Sequence, residues 1–282
     1  MSQNTLPKRL KRKMLKIVSS DIAKRNRYLI QSALIAVFIY IFTQGVVKQN
    51  LFLTIVLAIF LVVSGVLISH YPGVTKENFL FSTIMPIGVV SGALLSLNFY
   101  PNLGSGFKTV VIVFFSGLYY LVSLADNIFL VVHDREEIIP LFRVAVTWSQ
   151  ILQIIVAIPL LAGIFKLDVV VFIQSALASI ISVLFTYYQL KIHEYEPDAK
   201  KTNIWERVYL CAFSFFITYI TSFAVSFFPS EDFLRALFMS SVILFILNFV
   251  SLHLKNDLSR RIIVRYLIII LVFFILLLFF RL

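Results

Sequence analysis

Charge is scarce in this chain. Asp, Glu, Lys and Arg make up 14% of its 282 residues, where a soluble globular domain carries roughly 25%. A water-facing surface over most of the molecule is thereby excluded. Cysteine is nearly missing. Cys211 stands alone, so no disulfide framework exists within one chain, and cysteine usage says nothing about compartment. Its position inside an apolar run marks it as a small packing residue. Glycine and proline number only 9 and 8, and no stretch rich in Gly, Pro or Ser divides the chain into separate soluble domains. Reaction signatures are absent too. There is no HExxH helix, no GxxxxGK(S/T) phosphate loop and no GxSxG elbow. No spacing of His, Cys, Asp or Glu matches a zinc or calcium site. Gly104-Ser105-Gly106 lies between apolar runs with no base near it in sequence. The sequence therefore assigns no catalytic residue, metal or cofactor, and gives no support for direct ATP hydrolysis.

What the chain has is apolar length. Hydrophobic residues make up 60% of it, with a mean hydropathy of +0.95. Nine runs, near 28–47, 51–69, 79–99, 109–132, 138–164, 169–190, 208–228, 233–254 and 262–280, each approach the length of about 20 residues that crosses a bilayer as a helix. In hydrocarbon a helix satisfies its own backbone groups and turns apolar side chains outward. The fold class expected is all-α, a polytopic integral membrane bundle of about nine transmembrane helices. Its organisation is a basic amphipathic tail, residues 1–27, followed by the bundle, 28–282. This resembles many polytopic bacterial inner-membrane proteins in architecture, with no motif that carries a family.

The net charge of +11 suits nucleic acid or an anionic membrane, and its distribution decides for the membrane. Twenty Lys and Arg fall on the side of the N-terminus, and only Lys48, Lys108, Lys166, Arg235 and Arg281 on the other. By the positive-inside rule the N-terminus is cytoplasmic and, after nine passes, the C-terminus is outside the cell membrane. In the tail, Leu6, Leu10, Met14, Ile17, Val18 and Ile22 recur at helical spacing among Lys and Arg. Such a segment suits anionic lipid headgroups, or serves as an orientation signal alone. The first run is too long for a signal-peptide core, and no cleavage site follows it. Lys48-Gln49-Asn50 is so short a gap that the first two spans form an antiparallel hairpin. The longest loop, 191–207, holds Pro197 and an interfacial Trp205.

Four histidines, His70, His133, His193 and His253, lie 63, 60 and 60 residues apart, each at the same end of an even-numbered span. That spacing fits a two-helix repeat. It fits equally well the length of any two spans with short loops, and the surrounding residues show little identity.

Inside the spans, ionisable groups are costly, about 2.5–3.5 kcal/mol at a helix centre. Asp126 and Arg143 lie equally far from the turn between spans 4 and 5, at the same depth, and are expected to form an interhelical ion pair. On span 5, Arg143, Thr147 and Gln150 fall within about 60° of one another, with Gln153 beside them. On span 4, Ser116, Tyr120, Ser123 and Asn127 form a row beside Asp126. Span 6 carries Ser175, Ser179, Ser182, Thr186 and Gln189, and span 7 carries Ser214, Thr218 and Thr221. Such faces belong toward the bundle interior. They either line a polar cavity between spans 4–6, with Arg143 attracting an anionic group, or let helices approach closely and hydrogen-bond. On span 3, Pro86 precedes the small-residue row Gly88, Gly92 and Ser96, which suits close contact with a neighbouring helix, a membrane partner or a second copy of the chain. The cytoplasmic loops add His133, Asp134, Glu137, His193 and His253, which read as solvated interface residues or, were the loops to converge, as ligands for a cation or phosphate.

Three functions stay open: a carrier or lipid-handling protein, a non-catalytic assembly or scaffolding protein, and, with least support, a membrane enzyme acting on a lipid. The partners expected are the lipid bilayer, anionic headgroups and another membrane protein or copy, with no nucleic acid.

Overall fold

The computed structural model of the chain describes residues 24–44, 51–71, 73–99, 104–135, 140–196 and 202–280. Among these residues there are nine helices and no strand: α1 Lys24–Thr43, α2 Leu51–Ser69, α3 Phe79–Phe99, α4 Ser105–Arg135, α5 Pro140–Phe165, α6 Val171–Glu194, α7 Ile204–Val225, α8 Asp232–Leu254 and α9 Arg260–Phe279. Eight are long and apolar enough to cross a membrane, and α2 is the shorter apolar helix among them. The all-α membrane bundle expected from the apolar runs is the observed fold. The basic tail lies outside the described residues up to position 23, and α1 opens at Lys24, inside the stretch read as tail. Pro197 also lies outside them. Helices α6 and α7 absorb both ends of the loop placed at 191–207, leaving Trp205 in the first turn of α7, two-thirds exposed.

Successive helices run up and down. Gln153 of α5 meets Gln189 of α6, Ser182 of α6 meets Ser214 and Thr218 of α7, and Tyr266 of α9 meets Asn248 of α8. Alternate helices are parallel, as the contacts of α3 with α5 show: Gly88, Gly92 and Gly163 face Val156, Leu160 and Leu95, in step. All four histidines therefore gather at one end of the bundle, which α1 enters and α9 leaves behind. At that end α8 stops in a Schellman motif. Asp257 N–H donates to Leu252 O at 3.0 Å and Asn256 N–H to His253 O at 3.2 Å, with Asn256 at φ 54°. Asparagine is one of the few residues that tolerates this left-handed conformation.

Helix α3 is the centre of the bundle, touching α1, α2, α4, α5 and α6. It is 78% buried over its apolar stretch, against 6% for α9. The small-residue row of α3 does what its spacing suggests. A Cβ on Gly92 would sit 3.3 Å from Pro159, and one on Gly88 3.1 Å from Val156, so the two glycines let α5 lie against α3. Without a hydrophobic drive between helices in lipid, this dispersion contact is what holds them. The outside is the reverse of a soluble protein. Phe60, Ile68 and Phe279 are among the most exposed side chains, while Ser179, Ser182, Thr186, Gln189, Ser214 and Thr218 have no exposed surface.

Candidate functional site

The polar residues of α5 form a graded stripe. Arg143 and Thr147 are exposed, Gln150 is half-buried and Gln153 is fully buried. They step along one face of the helix from the histidine end into the core. At its inner end the stripe joins a network across three helices. Gln153 Nε2 donates to Gln189 Oε1 of α6 at 3.0 Å. Gln189 Nε2 donates to Ser251 Oγ of α8 at 3.1 Å and meets His193 Nε2 at 3.3 Å. Gln150 Nε2 also donates to Ser251 Oγ, at 3.0 Å, and the Ser251 hydroxyl donates to Leu247 O at 2.9 Å. These bonds use every site on Gln189 Nε2 and fix the proton of neutral His193 on Nδ1, since Nε2 must accept. Nδ1 then points toward Glu196, 3.6 Å away, beyond hydrogen-bond length. The His193 ring beside it holds the Glu196 carboxyl below its ordinary value, with the charges of Lys255 and Arg143 acting in the same sense and burial opposing them. Gln153 Oε1 is left without a partner.

Asp126 lies in a second polar centre. It is fully buried. Its Oδ1 accepts a hydrogen bond from Tyr188 Oη of α6 at 2.6 Å, and its Oδ2 has no partner. The ion pair expected between Asp126 and Arg143 is not formed. Arg143 is exposed, and the carboxylate within its electrostatic reach is that of Glu196. Equal distance from a turn fixes depth but not direction. Helices α4 and α5 meet along Leu121, Leu124, Ala125 and Ile128 against Leu141, Val144, Ala145 and Trp148. At 100° per residue, Asp126 and Arg143 each point roughly 150° away from that seam. The seam itself is an open, apolar groove of about 270 Å³, so the space between these two helices is not polar. Asn127 is half-buried beside it, and Ser123 is buried with its hydroxyl turned back to Tyr119 O at 2.9 Å.

Rings surround the Asp126–Tyr188 contact. Phe81 of α3 stacks on Tyr188 with centroids 4.6 Å apart and planes 8° from parallel. It also meets Tyr195 edge-on at 5.2 Å and Phe129 at 6.1 Å. Tyr195 in turn packs on the exposed ring of His133, 4.5 Å away, and donates its hydroxyl to Asn78 Oδ1 at 2.7 Å. Two turns from Asp126, on the same face of α4, Tyr119 bonds Gln31 of α1. With its amide turned to suit its neighbours, Gln31 donates to Ser69 Oγ at 2.8 Å and to Gly65 O at 3.2 Å. A Cβ on Gly65 would overlap the Gln31 side chain, so α2 carries glycine where Gln31 crosses it.

The Ser and Thr rows of α6 and α7 close on each other. Ser182 Oγ and Ser214 Oγ are 2.8 Å apart, Thr186 donates to Ser214 at 2.9 Å and Thr218 donates to Ser182 at 2.9 Å. These rows are a dry packing seam. Beside it a second open apolar groove, of about 510 Å³, is lined by Val183, Tyr187, Val208, Cys211 and Phe215. Arg207, at its mouth, is held by Glu194 at 2.6 Å.

The loop candidates do not converge. His133 packs on Tyr195, His193 belongs to the Gln189 network, and His253 meets Glu206 at 3.2 Å. His70 pairs with Tyr28 at 3.3 Å. Two of the four, His70 and His133, thus lie against tyrosines, and the other two meet a glutamine and a glutamate. Asp134 is exposed near Gly73, and Glu137 lies outside the described residues. Among the described residues no group of His, Cys, Asp and Glu is placed to hold a metal ion.

Sequence reasoning missed Tyr188, Tyr195, Phe81, Asn78, Gln31 and Ser251. A signal for two of them was present. Asp126 and His133 are seven residues apart on α4, and so are Tyr188 and Tyr195 on α6, which places two matched pairs on facing helices. No family model matches this chain. No curated protein and no solved structure matches it either.

Proposed function

We propose that the protein is a lipid-handling membrane protein, with the histidine end in the cytoplasm, which receives the anionic headgroup of a lipid along the polar stripe of α5. The observation that carries this reading is the graded burial of that stripe, from exposed Arg143 and Thr147 through Gln150 to buried Gln153. A merely structural polar row is closed along its length, as in the contact of α6 with α7. The α5 stripe is open at its charged end, and at its inner end Gln153 Oε1 is an acceptor without a protein partner, which suits a hydroxyl or ammonium donor on the headgroup and not its anionic oxygens. The Arg143 guanidinium supplies a fork of donors suited to a phosphate or carboxylate. Among the described residues the two open grooves, beside α4 and α6, are apolar and offer nothing to a hydrophilic solute, which disfavours a carrier of small polar molecules. The side assignment rests on the excess of Lys and Arg at this end.

The test is accessibility together with lipid retention. In a Cys211→Ser background, cysteines replacing Thr147, Gln150 and Gln153 are treated with a water-soluble maleimide from either side of sealed vesicles. The reading expects fast labelling at 147, slower labelling at 150 and none at 153, all from the cytoplasmic side. It also expects Arg143→Gln to reduce the anionic lipid that copurifies with the protein. Absence of labelling at both 147 and 150, with lipid retention unchanged in Arg143→Gln, refutes it.

A second reading, an assembly partner in the membrane, draws on α9. That helix packs mainly on α8 and leaves about half of its residues exposed on the outside of the bundle. Deleting α9 would then abolish a complex that survives mild detergent while leaving lipid retention unchanged.

A further inference from the structure

We propose that Asp126 is a proton-binding site of the bundle, taking up and releasing a proton on Oδ2 in exchange with the end marked by His133. The carboxyl has no exposed surface, and Oδ2 has no hydrogen-bond partner. Its single bond is the one it receives from Tyr188 on Oδ1. Among the described residues no cation contacts its carboxyl. Helix α3 has no ionisable side chain, and the one charged residue of α5, Arg143, lies roughly 150° around α5 from its seam with α4. The ionisable groups that share its field include Tyr188 and Tyr195 of α6, Tyr28 of α1 and Tyr119 of α4 itself, and Tyr28 in turn meets His70 and lies in the field of Arg27.

A buried carboxylate without a cation is expensive in hydrocarbon and marks function more often than structure. The question is what ligand it serves. Beside it Phe81 is in ring contact with each of Tyr188, Tyr195 and Phe129, at 4.6–6.1 Å between centroids. Asp126 lines neither of the two open grooves, and a proton needs no cavity.

The same rings give the site a direction. Asp126 and His133 lie two turns apart on one face of α4, about 10.5 Å along the axis. Their partners Tyr188 and Tyr195 lie two turns apart on α6, and Phe81 of α3 touches both. His133 is exposed against Tyr195. Two layers thus stack from the core to the histidine end, an inner one of Asp126 with Tyr188 and an outer one of His133 with Tyr195, with Phe81 as the partition. The unsatisfied Asn78 Nδ2, on the residue that accepts from Tyr195, supplies a donor in the outer layer. A proton arriving on the His133 imidazole crosses the partition when Phe81 moves, and protonates Oδ2. Tyr188 keeps donating to Oδ1 in both states, so only the proton changes place.

The experiment is infrared difference spectroscopy of the whole protein in lipid vesicles, between acidic and alkaline buffer. The expected result is a carboxylic-acid C=O band that is lost at alkaline pH, missing in Asp126→Asn, and moved to higher frequency in Tyr188→Phe because a hydrogen bond to the carbonyl is gone. In vesicles with the chains oriented one way, the band follows the pH on the side bearing His133. If Asp126→Asn fails to fold, Asp126→Glu serves in its place and moves the band. A band indifferent to pH overturns the proposal, as does a pH-dependent band that persists unchanged in the Asp126 variants or follows the pH of the opposite side. Lipid labelling of the α5 stripe is read separately and does not bear on this outcome.

Discussion

Replacing Gly163 with alanine tests whether close contact between α3 and α5 is what centres this bundle. A Cβ on Gly163 would lie 2.6 Å from Leu95 Cβ, 2.9 Å from its Cδ1 and 3.1 Å from its Cγ. Carbon atoms rest about 3.5–4.0 Å apart, so the new methyl is short of room by about 1 Å. The nearest atom is a Cβ, which no rotamer change can move, and relief requires the two helices to separate. Overpacking of this kind costs about 1–3 kcal/mol. Alanine recovers about 0.5–1 kcal/mol of helix propensity, which leaves a net loss centred on about 1 kcal/mol and reaching about 2.5 kcal/mol. Gly117 of α4 is the control, because nothing lies within 4 Å of a Cβ placed there. Gly117→Ala should be neutral or slightly stabilising by the same propensity gain. Both variants are compared with the parent by thermal unfolding in one detergent. Leu95→Ala in the Gly163→Ala chain should fail to restore stability, because it keeps the atom that clashes. A Gly163→Ala chain as stable as Gly117→Ala would show that α3 and α5 do not meet as described.

Ser214→Ala removes a group shared by Ser182 and Thr186, and should cost about 0.6–1.7 kcal/mol in the same unfolding assay; a neutral outcome would disprove a dry seam between α6 and α7. Exchanging charges, Asp126→Arg with Arg143→Asp, should not rescue either single variant, since the two side chains point away from each other; rescue of expression or stability would restore the ion pair that the seam geometry rules out. Glu196 supplies a pH dependence. Its native carboxyl titrates below its ordinary value of 4.5, so its stabilising contribution is complete above that pH and is lost as the pH falls through the lowered native value. Glu196→Gln should therefore flatten unfolding temperature against pH in that acid window, and an unchanged slope would remove His193 as its partner. Tyr266→Phe deletes the hydroxyl that reaches Asn248 at 2.8 Å and should increase protease access to the α8–α9 connection with little effect on the rest; unaltered access would mean that ring packing of Phe274 on Phe228 and Phe238 alone holds α9.

Most of the fold was legible because hydrocarbon imposes one solution on each apolar run. Helices α2 and α3 begin and end where their runs do, at 51 and 69 and at 79 and 99. Errors concentrate where polar residues continue a helix past the lipid. The end of α4 runs on to Arg135 and that of α6 to Glu194, since backbone hydrogen bonding carries a helix on in water as readily as in the bilayer. The small residues of α3 and the Ser and Thr rows of α6 and α7 were also legible, because close approach needs small side chains at a fixed period. The site was legible only in part, for a physical reason. Sequence gives the distance of a residue from a turn, and on that basis Asp126 and Arg143 were expected at one level. It does not fix which neighbour a face meets, because α4 touches α1, α3 and α5 and only the packed bundle chooses among them. Asp126 consequently found Tyr188, on a helix two passes away. Polarity was sought among Ser, Thr, Gln and charged residues, while the groups that satisfy Asp126, Gln31 and Asn78 are phenols. Tyrosine counts as apolar in a hydropathy sum, yet in lipid its hydroxyl is the donor a buried carboxyl meets with least cost, since the ring itself needs no water. In a bundle with so few charges, tyrosines at heptad spacing opposite an acidic residue are therefore the pattern to read for a buried site.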